Sequence, residues 1–220
     1  MTSEVLADRW TPLIIRELVL GNTRFNDIAR GLPGISRTLL TQRLRHLERR
    51  GVLLTLPSAA GRGNEYHLTP AGRDLQVVLE AMGRWAVEWL YDEFDVDVDA
   101  VTLMWWMHRL VDPDTLPGAR VVIEFRHTAP EPVSIWLVLD RGEPSVCKQP
   151  PASDSDLIVT TTTPALARVF SGNDRWGSAV SRGDIQVEGN PPLVRALPTW
   201  FLWSPWSEQT RLRAERVAAT

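Results

Sequence analysis

The sequence predicts a mixed architecture, an α-rich first half followed by an α+β second half, and three observations carry that prediction. Helix-like apolar patterns follow Thr11, Phe25, Ser36 and Thr69, with one hairpin signal between the last two. Beyond residue 119, runs such as Arg120-Val121-Val122-Ile123-Glu124-Phe125-Arg126 and Val133-Ser134-Ile135-Trp136-Leu137-Val138-Leu139 are rich in β-branched and aromatic residues. Charge also divides: 12 basic against 9 acidic side chains give +3 over residues 1–91, and 12 against 18 give −6 over residues 92–220. An overall charge of −3 therefore conceals two electrostatically different halves, and two domains follow.

Three Thr-Pro pairs, Thr11-Pro12, Thr69-Pro70 and Thr163-Pro164, mark helix starts, with Thr as N-cap and Pro as the first helical residue. Phe25, Ile28, Ala29 and Leu32 form an apolar stripe that Pro33-Gly34 breaks. The next helix is expected over residues 36–50, about four turns, with Ser36 as N-cap and Gly51 as a left-handed C′ residue. At 100° per residue, Leu39, Leu40, Leu44 and Leu47 fall on one arc. Arg37, Thr38, Thr41, Gln42, Arg45 and Arg49 fall on the other. Two strands, Val52 to Leu56 and Glu65 to Thr69, flank a segment from Pro57 to Asn64 that carries Gly61, Arg62 and Gly63, the signature of a hairpin with a cation at its tip.

A helix, a turn, a basic helix and a hairpin in that order describe a helix-turn-helix with a wing, which is suited to double-stranded DNA. Long polar side chains on a helix in the major groove read base edges, and arginines beside it neutralise phosphates. The expected DNA-facing set is Arg24, Ser36, Arg37, Thr38, Thr41, Gln42, Arg45, Arg49 and Arg62. Within it, Arg37, Thr38, Thr41, Gln42 and Arg45 face bases or nearby phosphates, and Arg24, Arg49 and Arg62 hold the backbone.

After Thr69, the residues Ala71, Leu75, Val78, Met82, Trp85 and Trp89 are spaced alternately four and three apart, a seam that a partner helix should cover. A second subunit or the second domain would both serve. Paired recognition helices favour the subunit, giving a two-fold homodimer with Leu75, Val78, Met82, Trp85 and Trp89 at the interface. The acidic alternating run that ends at Asp99 then separates the two charge regimes. The expected divisions are residues 1–91, an acidic linker 92–99, a second domain 100–206 and a C-terminal tail 207–220.

In the second domain, an apolar helix from Ala100 to Val111 is expected first. Strands follow at Arg120 to Arg126, Val133 to Leu139, Ser145 to Cys147 and Leu157 to Thr162, then helices at Pro164 to Phe170 and near Pro191 to Trp203. Strands first and helices largely afterwards is an α+β order. Seven of the chain's ten tryptophans lie here, and Trp105, Trp136, Trp200 and Phe201 are candidates to line a cavity for an apolar small molecule or lipid. Packing of the domain core is the other use such rings have.

Several classes of function find no support in the residues. The four histidines, His46, His67, His108 and His127, are at least 19 residues apart, and no Cys-His set has metal-ligand spacing, so no metal is expected and each histidine reads as a surface residue. There is no Gly-x-Ser-x-Gly elbow, phosphate loop or dinucleotide fingerprint, so neither catalytic residues nor a cofactor are expected, and the chain reads as a non-enzyme. The single cysteine, Cys147, forms no internal disulfide and reads as an ordinary buried or half-buried residue. Without an apolar span of 18 residues or an export-type start, the expectation is a cytoplasmic protein that does not enter a membrane.

Residues 4 to 90 resemble the HxlR-type winged helix-turn-helix regulators. The resemblance rests on Trp10 with Leu13, Ile14, Ile15 and Leu18, on Gly21, Arg24-Phe25 and Ile28, and on Gly34-Ile35-Ser36, Leu40-Thr41, Leu44, Leu47-Glu48, Gly51-Val52 and Glu65-Tyr66-His67-Leu68-Thr69-Pro70-Ala71-Gly72. It implies a dimeric bacterial transcription factor with residues 36–50 as the recognition helix. Several members sense oxidants through a cysteine just before the first helix, and this chain has none there.

Residues 100 to 205 resemble the sterol-carrier-protein-2-like domains through Asp156-Leu157-Ile158-Val159-Thr160, Phe170-Ser171-Gly172 and Gly183-Asp184-Ile185-Gln186-Val187-Glu188-Gly189. That resemblance implies a five-stranded, largely antiparallel sheet with helices on one face and an apolar tunnel. The combined expectation is a dimeric regulator on an inverted-repeat operator, modulated by an apolar ligand. Its alternatives are the same DNA binder with a purely structural second domain, and a carrier of lipids or enzyme on apolar substrates.

Overall fold

The computed structural model describes residues 7–58, 61, 63–90, 98–140 and 144–218. The chain separates into two compact units, residues 1–83 and 84–220.

The first unit opens with α1, Trp10–Val19. Its start corrects the expectation for Thr11. The cap is the Asp8 carboxylate, which accepts from the Trp10 and Thr11 amides at 2.8 and 3.0 Å, while the Thr11 hydroxyl donates to it at 2.6 Å from inside the first turn. A carboxylate satisfies two free amides at once, so the helix begins ahead of the Thr-Pro pair. Helix α2, Phe25–Arg30, and helix α3, Arg37–Arg49, follow around the Pro33-Gly34 turn. Ser36 caps α3 as expected, its hydroxyl accepting from the Leu39 amide at 3.1 Å. Gly51 beyond its end has φ +71°, a left-handed conformation that closes a helix without a Cβ clash.

Ile14, Ile15, Ile28, Leu40, Leu44, Leu47 and Leu53 form the core of this unit, and Leu39, at the rim of the leucine arc, is only half-buried. Beneath the helices lies a buried carboxylate, Glu17. Arg16 Nη2 donates to it at 2.7 Å and Asn22 Nδ2 at 2.7 Å, which satisfies both oxygens. Strands β1, Leu53–Pro57, and β2, Asn64–Leu68, pair antiparallel from Leu53↔Leu68 to Pro57↔Asn64. The segment before α2 adds to their edge through the Tyr66 amide on the Thr23 carbonyl, 2.8 Å.

Helix α4, Pro70–Trp89, starts at the expected pair, with the Thr69 hydroxyl accepting from the Gly72 amide at 3.1 Å. It runs through the division between the two units. Most of the expected acidic linker, residues 92–97, lies outside the described residues.

In the second unit, Asp99 caps α5, Ala100–Arg109, by accepting from the Thr102 amide at 3.0 Å. The strands are β3, Val121–His127; β4, Val133–Leu139; β5, Ser145–Cys147; β6, Leu157–Thr161; and β7, Ile185–Gly189. They form one sheet in the order β5-β4-β3-β6-β7, antiparallel except for the parallel β3–β6 pair. Between β6 and β7 come α6, Thr163–Ser171, and α7, Trp176–Arg182. Helix α8, Pro191–Ala196, a 3-10 turn, Leu197–Trp200, and α9, Ser207–Ala218, complete the unit.

Three expectations change here. A strand follows helices, so the order is not strands first. Thr162, not Thr163, caps α6, accepting from the Ala165 amide at 3.2 Å. The expected tail 207–220 is helical from Ser207 to Ala218. Alternation along the strands turns Val121, Ile123, Phe125, Ile135, Leu137, Leu157, Val159 and Ile185 to one face, where they pack with Leu103, Met104, Met107, Leu166, Phe170, Leu197 and Trp200. His127 lies at the end of that same face, 2% exposed, with Nδ1 2.9 Å from the Thr163 hydroxyl. It is a core residue, not a surface one, because β3 continues one pleat past the arginine at which the expected strand stops.

Candidate nucleic-acid interface

Helix α3 turns Leu40, Leu44 and Leu47 into the core and presents Arg37, Thr38, Gln42, Arg45 and Arg49 exposed on the other side, with Thr41 half-buried between them. The basic helix face is therefore not neutralised by packing. Thr41 donates its hydroxyl to the Arg37 carbonyl at 2.9 Å, which leaves it lone pairs and a methyl group to offer outward. Ser36 accepts one hydrogen bond at the cap and keeps its O–H to donate.

The hairpin is fixed to this helix by the Glu48 carboxylate, which accepts from the Thr55 amide at 3.2 Å. Between them is an open cleft of about 350 Å³ lined by Thr41, Leu44, Arg45, Glu48, Thr55, Asn64 and Tyr66. Burial, with the Glu48 carboxylate nearby, pushes the Tyr66 phenol above its ordinary value, so it remains a neutral donor. At the hairpin base, the Ser58 amide donates to the Gly63 carbonyl at 3.0 Å. Arg62 lies outside the described residues.

Glu65 joins several of these parts and was not expected from the sequence. Its carboxylate accepts from the Ser58 hydroxyl at 2.7 Å, lies 3.8 Å from Arg24 Nε and 3.4 Å from His67 Nε2. The Ser58 hydrogen bond holds its carboxyl below the ordinary carboxylate range. Arg24, more than half exposed, is thereby tethered at the hairpin rather than free to sweep the surface. Phe25 and Asn26 were also missed as partners: the Arg37 guanidinium lies 4.8 Å from the Phe25 ring centroid and Nη1 donates to Asn26 Oδ1 at 3.2 Å. Strand alternation marks Glu65 as polar-facing in the sequence, but only the bridge between Arg24 and Glu65 reveals its neighbours.

The other expected sets are placed as follows. Along α4, Leu75 packs partly against the first core, while Met82 is 52% exposed, Trp85 57% and Trp89 70%, with Val78 exposed beside them. Trp200 and Phe201 are buried together in the second core. Trp136 alternates with Ile135 and Leu137 and so points to the opposite face of the sheet. Trp105 is half-buried, its ring 5.0 Å from that of His108. The four aromatic candidates do not converge on one cavity. Cys147 is half-buried on β5, as expected. Among the described residues no group of three His, Cys, Asp or Glu could hold a metal, and no helix is long and apolar enough to cross a membrane.

A basic helix set beyond the Pro33-Gly34 turn, with a hairpin fixed beside it, defines a winged helix-turn-helix DNA-binding protein, a regulator of transcription. Residues 5–94 match the HxlR-like helix-turn-helix family. The uncharacterised HTH-type transcriptional regulator YvaP of Bacillus subtilis is 37% identical over 93 residues, which is 41% of this chain and 85% of YvaP. An uncharacterised HTH-type transcriptional regulator of Mycobacterium tuberculosis is 42% identical over 88 residues, 40% of this chain and 55% of that protein. The crystal structure of quinone-bound YodB from B. subtilis aligns at 32% identity over 42% of this chain and 93% of YodB, with a TM-score of 0.34. The chain belongs to the HxlR-like helix-turn-helix family.

Proposed function

We propose that the protein is a homodimeric transcriptional regulator that binds an inverted-repeat operator, with α3 in the major groove and the hairpin over the flanking backbone. The observation that carries this reading is the exposed face of α3, where Arg37, Thr38, Gln42 and Arg45 stand unburied beside the wing. The dimer rests on the unburied apolar stripe of α4, which in water favours a second copy of itself. In the second unit, a five-stranded, mostly antiparallel sheet with helices on one face supports a sterol-carrier-protein-2-like domain. An apolar ligand held there would bias the spacing of the two recognition helices, which requires tighter binding to one dimer geometry.

A second reading, a bracing domain without a ligand, is favoured by Trp200 and Phe201, which fill the core instead of lining a space. Fluorescence anisotropy with DNA from upstream of the gene and with scrambled DNA separates these possibilities. The wild type is expected to prefer the upstream DNA, and Arg45→Ala to lose roughly 1–3 kcal/mol on it if Arg45 reads a base. Equal affinity for both DNAs would overturn the proposal. An apolar extract that leaves operator affinity unchanged would favour the bracing domain.

A further inference from the structure

We propose that Arg37 reads a guanine at the start of α3, and that Phe25 and Asn26 are the positioning residues that aim it; the proposal rests on the DNA-binding reading above. Arg37 is the first residue of α3, and the first turn contains no acidic side chain. A cation at the positive end of a helix is unfavourable for the helix itself, so the helix dipole does not account for an arginine there. Nor does an ion pair, since no carboxylate pairs with Arg37 among the described residues.

What holds the guanidinium is neutral. The Phe25 ring lies beneath it at 4.8 Å, and the Asn26 amide oxygen accepts from Nη1 at 3.2 Å. Both supports come from the first turn of α2, whose own position is set by Ile28 in the core. A ring fixes the plane of the fork and an amide fixes its rotation within that plane. Neither cancels the charge, and the remaining N–H edge stays in solvent. A flat, oriented and still charged fork matches the O6 and N7 acceptors that guanine alone presents side by side in the major groove. Reading from the N-terminal residues of the recognition helix is also where helix-turn-helix geometry brings side chains to base edges. A phosphate would accept the same fork, but phosphate contact makes no distinction between bases.

The test uses the full chain. Wild-type protein selects its operator from random duplexes, and every base pair of the half-site is then replaced in turn while affinity is read by anisotropy. One guanine is expected whose replacement weakens binding about tenfold or more. Arg37→Ala, which removes the fork, should lose that discrimination. Phe25→Leu and Asn26→Ala should each reduce it about threefold or more at the same base pair, with affinity for scrambled DNA within about twofold of wild type. Phe25→Trp, which keeps a ring face, should retain it. Asn26 is exposed, so its variant keeps the experiment decisive even where Phe25→Leu fails to fold. Undiminished discrimination in Asn26→Ala and a folded Phe25→Leu overturns the positioning role. An equal loss on operator and scrambled DNA in Arg37→Ala makes Arg37 a phosphate contact and overturns the reading of guanine. Wild-type protein without any sequence preference overturns the DNA-binding reading itself, and this proposal with it.

Discussion

The buried imidazole of His127 gives the second unit a pH response of definite sign. It stands between Val133 and Thr161 on neighbouring strands, and its Nε2 has no hydrogen-bond partner among the described residues. Burial lowers its pKa from 6.5 to about 4. The folded protein therefore keeps the ring neutral while the unfolded chain protonates it near pH 6.5, and stability is lost as pH falls from about 6.5 to about 4. The loss attributable to this group is on the order of 3 kcal/mol across that window. His127→Gln keeps a hydrogen-bonding group for Thr163 without titrating. Urea unfolding of the full chain at pH 7 and pH 4.5 should show a smaller drop in stability for the variant than for wild type. Equal drops would mean that the carboxylates of the acidic half, not His127, set the acid limit. Glu17 meets burial in the first core through partners instead, since Arg16 and Asn22 between them donate to both of its oxygens.

At the scale of elements, α4 is the piece whose surface is least explained by a single chain. Met82, Trp85 and Trp89 are more than half exposed, and substituting them leaves neither core disturbed. Light scattering at micromolar concentration should give twice the 24.8 kDa chain mass for wild type and the single-chain mass for Met82→Glu and Trp85→Glu, with each variant chain still folded. A monomeric wild type, or dimers in both variants, would remove α4 from the interface. This stripe was legible in the sequence because a three-four spacing over five turns is a strong signal, as was α3, whose leucine arc and caps agree with each other. Helix α7 was not: Gly177, Ser178 and Ser181 are weak helix formers, and only Ala179 is buried. Helix α9 was passed over for the opposite reason, since Ser207–Ala218 is rich in helix formers but lacks an apolar stripe. Strand β7 was reached only through family resemblance, because five residues at a sheet edge have too short an alternation to stand out. In the interface, the residues that contact solvent were legible from helical phase. Their supports, Phe25, Asn26 and Glu65, were not, because each touches its arginine across a turn or between elements, where sequence spacing says nothing about direction.

At the scale of the whole molecule, the charge distribution sets how the protein should respond to salt. A net charge of −3 would repel DNA if it acted as a point, yet the first 91 residues carry +3. Screening confines their field to roughly 8–10 Å at ordinary salt, so phosphate affinity reflects the charges within that distance of the duplex, and an acidic half held farther away would leave it unchanged. If Arg24, Arg49 and Arg62 each contact a phosphate, a dimer makes about six such contacts, and log affinity against log salt should fall with a slope of about −5. A monomer on a half-site should give about half that slope. Arg49→Gln removes two contacts from a dimer and should flatten the slope by about 2, weakening operator and scrambled DNA alike, unlike the base-specific losses expected at Arg37 and Arg45. An unchanged slope in Arg49→Gln would take that residue off the backbone. A wild-type slope near −2 would mean that most of the basic surface of α3 and the hairpin stands clear of the DNA, and that affinity comes from the base-reading face instead.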